Sequence, residues 1–409
     1  MKKAIFSLYI LSFVNTLNFT IVIPILPYIL KEYGGTWYLY GLLIAIYPLF
    51  QFYAAPILGS LSDYYGRRPI LLLSQAGTLL SWLIFFIVFF VPNVSLGFIS
   101  LPLLILLLSR AADGATGGNN AVANAYASDF IPQNERTNVY GILGGISGIA
   151  IIIGPILGGL AMTDLLGYLG PVLLAMSVSL FALIYMYLFM PESLEKDKRV
   201  KKLDLNILKE MQFIPKLKTY TENRVMKYIL IKRVSFLLVF SSFSSIFILY
   251  LVDVLKLTSQ EIGYFFVIIG LMIVFNQIFI VGSLSKKLGN YKSLMIGLIM
   301  VTFAQILLGL SANLWYFFSV LYLNSLGVAM AIPTFKSLLS EHVEHDKQGE
   351  IMGLDESLVS ATSVVAPLIS TWLYQDLGPS VFVLQGILLL LVLFIYFKRK
   401  GWLLRGGHK

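Results

Sequence analysis

The sequence predicts an all-α membrane protein of 12 transmembrane helices, built as two related six-helix bundles. Three observations lead there: composition, the spacing of apolar windows, and an internal repeat. Of 409 residues, 58% are hydrophobic and 12% charged, with a mean hydropathy of +0.83. Soluble domains are nearer half apolar and a quarter charged, so only a bilayer can hide this much apolar surface. Windows of about 20 apolar residues, the length that crosses a hydrocarbon core, fall near 5–30, 38–62, 69–91, 99–127, 138–161, 168–190, 226–252, 260–283, 292–311, 314–338, 350–373 and 379–397.

The repeat supplies the pairing of these windows. GSLS at 59–62 recurs at 282–285, an offset of 223, and Gly66 maps to Gly289. Beyond a loop-length difference the offset becomes 212, aligning Ser128 with Ser340, Gly141 with Gly353 and Pro155 with Pro367. Residues 1–190 therefore form an N-terminal bundle and 224–409 a C-terminal bundle with a basic tail. The charged stretch 191–223 links them. Two halves around a midplane site is a transporter design.

Charge placement gives orientation. Of 30 Lys and Arg, Lys31 and Lys256 fall in loops on one side and Arg110 at mid-membrane. The remaining 27 are assigned to the N-terminus, the opposite loops and the C-terminal tail. By the positive-inside pattern the protein is a multi-pass component of the cell membrane with both termini cytoplasmic. The same placement argues against nucleic acid as the partner of the +9 net charge. The first apolar segment lacks a small-x-small cleavage site before Lys31 and reads as a retained helix. With no cysteine, disulfides, thiolate nucleophiles and Cys-type metal sites are excluded. His342, His345 and His408 lie in polar segments and read as solvated. No cofactor, metal site or enzymatic spacing is expected.

Span by span, polar residues mark candidate sites. In span 1, Asn15 and Asn18 are one turn apart, before the helix-bending Pro24 and Pro27. They read either as cavity amides or as part of a bent structural helix. Span 2 places Tyr47 and Gln51 at i, i+4, then runs into a loop with Gly59, Asp63, Gly66, Arg67 and Arg68. Gly59 is expected to permit close helix contact. In span 4, Arg110, Asp113, Gly117, Asn120 and Asn124 fall within an arc of roughly 80° on a continuous helix. Charges at membrane depth cost about 2.5–3.5 kcal/mol on insertion scales and face a bundle interior or a water-filled path. A structural ion pair and the wall of a transport path both fit that stripe.

Span 5 carries Gly141, Gly145, Gly148, Pro155 and Gly159 on one arc, a packing seam for a neighbouring helix. In the second half, Phe240–Phe247 (Phe243 among them), Asn276, Gln277, Gln305 and Asn324 offer aromatic, hydroxyl and amide groups without charge. That lining suits an amphiphilic solute. Asp355 and Glu356 sit near the start of span 11, as helix-capping acids or, for Glu356, at the cavity mouth.

These residues resemble a known family. G-x-L-S-D-x-x-G-R-R-P at 59–69 matches the loop signature of the major facilitator superfamily, and Arg110 with Gly114 its fourth-helix arginine motif. Gly154-Pro155-Ile156-Leu157-Gly158-Gly159 matches its fifth-helix antiporter motif. The stretches 59–77 and Gly114–Asp129, with Glu135-Arg136, look most like the twelve-span drug/proton antiporters, including the tetracycline-exporter branch. The resemblance implies the major facilitator fold and, in general, a monomer. It also implies that Asp63 meets the start of span 11 and holds the outward-open state. Arg67 or Arg68 with Asp129 would complete a cytoplasmic charge cluster, and Arg110 would tune a nearby acid. It implies export of a small amphiphilic or drug-like molecule in exchange for protons. A proton-independent uniporter or importer of a sugar or metabolite is the alternative. Two departures stand out. Asn15 replaces the first-helix acid of tetracycline exporters, and spans 3 and 9 carry no acid, which counts against a metal–tetracycline substrate. Asp113 stands where the fourth-helix motif often has Gln. We therefore expect Asp113 to carry the proton with Arg110 as partner. Burial favours the neutral acid and the guanidinium favours the carboxylate.

Overall fold

A computed structural model describes residues 2–131, 136–200, 213–281, 284, 287–310, 313–344 and 347–403. Glu135, most of the repeated GSLS segment at 282–286, His345 and His408 lie outside the described residues, as do the side chains of Arg136 and Gln277. The helices in order are α1 (Lys2–Ile21), α2 (Leu26–Glu32), α3 (Trp37–Tyr65), α4 (Arg67–Ile87), α5 (Leu101–Gly117), α6 (Asn120–Phe130), α7 (Arg136–Ala161) and α8 (Leu169–Phe189). The second half adds α9 (Phe213–Glu222), α10 (Arg224–Asp253), α11 (Ser259–Phe275), α12 (Asn290–Leu308), α13 (Leu314–Glu341), α14 (Gln348–Leu377) and α15 (Ser380–Leu403).

Each of the 12 apolar windows coincides with one helix or a helix pair. Among the described residues, 8 helices are singly long and apolar enough to cross a membrane, and α1 with α2 makes a ninth span bent by 41°. The apolar stretches Ser259–Ile273 of α11 and Ser380–Ile395 of α15 are shorter, and α5 with α6 divides the fourth span. The bend in span 1 lies where Pro24 removes a backbone donor and Pro27 enters the first turn of α2.

The expected continuous helix in span 4 is corrected. α5 ends at Gly117, and α6 starts anew at Asn120. Arg110, Asp113 and Gly117 are buried, whereas Asn120 and Asn124, beyond the break, are exposed. Glycine at 117 and 118 removes the side chains that would otherwise hold the turn. Tyr47 and the Ala54–Ala55 backbone of α3 fill the space instead.

Contacts divide the described chain into two compact units. The first is Met1–Glu210 with Leu257–Val267, the second Met211–Lys256 with Ile268–Lys409. In the first, α1 packs on α7 and α8, and α5 packs between α3 and α4, around a core that includes Leu71, Val122, Tyr126 and Met186. In the second, α10 packs on α14, and α12 on α13 and α15, around Phe236, Val301, Phe335 and Ile351. The repeat is visible in the backbone: Gly66 (φ +108°) and Gly289 (φ +75°) start equivalent helices, α4 and α12, in the left-handed region where only glycine is unstrained.

The packing seam on α7 is also redistributed. Gly145 and Gly148 face open space, while Gly154 and Gly158 lie directly against Thr20 and the Ile21 backbone of α1. Gly159 meets Gly263 and the Ser259 carbonyl at the start of α11, in the same unit. A Cβ at Gly59, expected at a close helix contact, would meet no described atom of another element within 4 Å.

Candidate functional site

The site in the first unit is built on α5. Its apolar first half packs between α3 and α4 and buries Leu103, Leu106 and Leu107 there. The chain can bring Arg110 and Asp113 there because Gly114 and Gly117 let α3 approach: a Cβ at Gly117 would stand 2.7 Å from the Tyr47 hydroxyl oxygen. Arg110 Nη1 lies 3.4 Å from Asp113 Oδ2, one helical turn on. Both residues are shut off from solvent, at 2% and 3% exposure. The guanidinium carbon sits 4.8 Å from the Trp82 ring centre and 5.5 Å from Phe85, over two rings that stack at 5.7 Å. Cation–π attraction of this kind is worth about 2 kcal/mol when desolvated. Among the described residues, Arg110 Nε and Nη2 have no hydrogen-bond partner, and the Thr78 and Ser81 hydroxyls lie within reach of the Asp113 carboxylate. A single long contact and spare donors distinguish this pair from a closed bidentate bridge.

One turn further on, the break in span 4 is held by side chains from three other helices. Gln51 Nε2 donates to the Gly117 carbonyl at 3.0 Å, taking one of the carbonyls the helix end leaves unpaired. The Ser74 hydroxyl donates to the Thr116 carbonyl. Asn119 Nδ2 donates to Ser74 Oγ at 2.7 Å, and Asn119 Oδ1 accepts from Asn15 Nδ2 at 2.9 Å. Asn15, Gln51 and Tyr47 are half-buried here. Asn18 turns elsewhere: it is 1% exposed and donates to Ser179 of α8 at 2.7 Å.

The loop cluster forms a third group. Arg67 Nη1 pairs with Asp63 at 2.5 Å, and Arg67 Nε lies 3.5 Å from Asp129 Oδ2. Arg68 instead donates to the Tyr187 carbonyl at 2.7 Å, so Arg67 alone joins the two acids.

In the second unit, the amides and acids proposed from sequence are distributed differently. Gln305 donates to Asn324 at 3.2 Å between α12 and α13, and both are buried. Phe243 is half-buried and packs against Phe247 and Phe382. Glu356 forms an exposed pair with Lys336 at 3.2 Å. Asp355 does not cap α14, which begins two turns earlier at Gln348. It accepts from Arg233 Nε at 2.6 Å and Nη2 at 2.8 Å, with exposures of 2% for Arg233 and 1% for Asp355. Lys232 is buried beside it at 4% exposure, its Nζ 5.1 Å from the Tyr291 ring. Both basic residues were expected in loops or at a terminus. The missed signal is that Lys232 and Arg233 are the seventh and eighth residues of the apolar window that starts at 226.

Comparison with known proteins follows the same lines. The Major Facilitator Superfamily model matches residues 8–281 and 234–402. The tetracycline resistance protein of class H from Pasteurella multocida is 29% identical over 378 residues, which span 92% of this chain and 90% of that protein. The crystal structure of the human organic anion transporter MFSD10 superposes with a TM-score of 0.69 at 21% identity, covering 96% of this chain and 98% of that one. A bacterial homologue of the human lysosomal transporter Spinster superposes with a TM-score of 0.74 at 13% identity, covering 96% and 95%. With a family model spanning nearly the whole chain and the helical architecture to match, this protein belongs to the Major Facilitator Superfamily.

Proposed function

We propose that the protein exports a small amphiphilic, drug-like molecule in exchange for protons, by alternating access of its two halves. The observation that carries this reading is the buried Arg110–Asp113 pair: one carboxylate and one cation, 3.4 Å apart, with spare guanidinium donors and almost no exposure to solvent. A carboxylate held this loosely can take a proton in one state and lose it to its arginine's field in another. The tetracycline resistance relatives support export of a drug-like solute. The positive-inside charge pattern supports cytoplasmic termini in a cell membrane. The half-buried Tyr47, Gln51 and Asn15 border the span 4 break beside the pair and are the first candidates for solute contact. A second half that offers Phe243 and uncharged amides fits the same class of solute.

The test is proton flux in proteoliposomes carrying an internal pH dye, with ethidium and tetracycline as probes. We expect probe-triggered flux in the wild type and none in Asp113→Asn, with probe binding retained. Flux that survives Asp113→Asn removes the proton from span 4. Probe movement with no proton flux supports the uniporter alternative and leaves Arg110–Asp113 a structural pair.

A further inference from the structure

The eleven residues that follow α8, 190–200, are bound to the 59–69 segment and to the end of α6. Glu192 Oε1 accepts from the backbone N–H of Arg67 at 2.9 Å and of Arg68 at 3.4 Å, the first two donors of α4. It also accepts from Ser193 N at 2.9 Å and Leu194 N at 3.1 Å. Glu192 Oε2 faces Arg199 Nη2 at 3.6 Å. Val200 N donates to the Asp63 carbonyl at 3.1 Å, and the Ser193 hydroxyl donates to Asp129 Oδ2 at 2.7 Å. The Tyr126 hydroxyl donates to the Pro191 carbonyl at 2.9 Å.

The first N–H groups of a helix have no partner within it, and its N-terminus carries partial positive charge. A side chain at the cap position normally answers both. Here the cap is Gly66, which has none. A carboxylate 125 residues away takes its place. Gly66 is required for that exchange. Its φ of +108° turns the chain, and any Cβ would stand 2.7 Å from Arg199 Nη2 and collide with the Glu192 carboxylate. Arg67 is the first residue of α4, so pinning its N–H sets the direction in which its side chain leaves the helix. From there its guanidinium reaches Ser62 Oγ at 2.7 Å, Asp63 at 2.5 Å and Asp129 at 3.5 Å.

We propose that Glu192 is a positioning residue for the loop charge cluster: by capping α4 in place of Gly66 it aims Arg67 at Asp63 and Asp129. The start of the inter-bundle linker thereby becomes part of the device that holds those charges together, and its withdrawal would release Arg67. This geometry stands whether or not the chain exchanges protons, and so does its test.

The chain has no cysteine, so one introduced thiol reports without background. Ser62 is 0% exposed and accepts from Arg67, which makes Ser62→Cys a direct reporter of where Arg67 lies. N-ethylmaleimide labelling of the purified full chain is measured in this background. Adding Glu192→Ala is expected to raise the labelling rate about tenfold, the equivalent of losing a hydrogen bond to a charged group. Glu192→Gln keeps an acceptor oxygen at the same place and is expected to change the rate less than about threefold. In Arg67→Ala the thiol is already uncovered, so adding Glu192→Ala should raise the rate no further. An unchanged rate in Glu192→Ala, an equal rise in Glu192→Gln, or additive rises with Arg67→Ala would each overturn the assignment. If Glu192→Ala does not yield folded protein, Glu192→Ser truncates the same carboxylate and is judged by the same criteria.

Discussion

Arg233 and Asp355 close a bidentate bridge at 2.6 and 2.8 Å with almost no solvent contact, whereas Arg110 and Asp113 touch once at 3.4 Å. The repeat makes the first pair informative. At an offset of 223 Arg233 maps to Ile10, and at 212 Asp355 maps to Leu143. The N-terminal half thus carries apolar residues, on α1 and α7, at the two positions the repeat makes equivalent. Removing one member of a buried pair strands the other, at a cost of about 3–5 kcal/mol, while replacing both with apolar residues is often neutral. Arg233→Ala should therefore lower the thermal unfolding midpoint of the detergent-purified protein strongly. The double variant Arg233→Met with Asp355→Leu should restore most of it. A double variant as unstable as the single one would show that the charges hold more than each other.

At the scale of elements, small residues decide which helices can touch. Gly158 lies against the Ile21 backbone, which cannot move aside as a side chain can, whereas Gly148 faces open space. Gly158→Ala is expected to cost about 1–3 kcal/mol through overpacking, and Gly148→Ala less than about 0.5 kcal/mol. Comparing the two by thermal unfolding checks whether the seam lies where the structure places it. The start of α11 offers a second test. Thr258 N and Oγ1 donate to Glu261 Oε2 at 2.7 and 2.9 Å, and Glu261 N donates back to Thr258 Oγ1 at 3.3 Å. This is a reciprocal capping box. Thr258→Ala should lose about 0.5–2 kcal/mol, and Thr258→Ser much less, read as shifts in the same unfolding midpoint. The span 4 break belongs here too. Gln51→Ala leaves the Gly117 carbonyl without its donor and should raise backbone hydrogen exchange on both sides of Gly118 and Asn119.

For the whole molecule, two separate cores imply two separable responses to damage. One core gathers Leu71, Val122, Tyr126 and Met186 in the first unit, and the other Phe236, Val301, Phe335 and Ile351 in the second. Hydrogen exchange on Arg233→Ala should rise in α10 and α14 and stay unchanged in α1 and α4. A uniform rise across both units would mean that they unfold together.

The sequence by itself determined the helical membrane fold and the family. It did so because membrane crossing demands long apolar windows and because a duplicated chain keeps its turn glycines, Gly66 and Gly289, wherever φ must be positive. It also picked out Arg110, Asp113, Asp63, Arg67 and Asp129, because charge in an apolar context and short motif spacing are local signals. Only the tertiary structure decided the partners. Glu192 caps a helix 125 residues away, Asp355 meets Arg233 122 residues away, and Asn18 spends its amide on Ser179. Periodicity places a side chain on a face but says nothing of what lies opposite. The break at Gly118–Asn119 escaped for a related reason: an apolar, small-residue stretch is compatible with a straight helix until Gln51, Ser74 and Asn15 arrive from other helices to satisfy the backbone and the Asn119 amide that the break exposes.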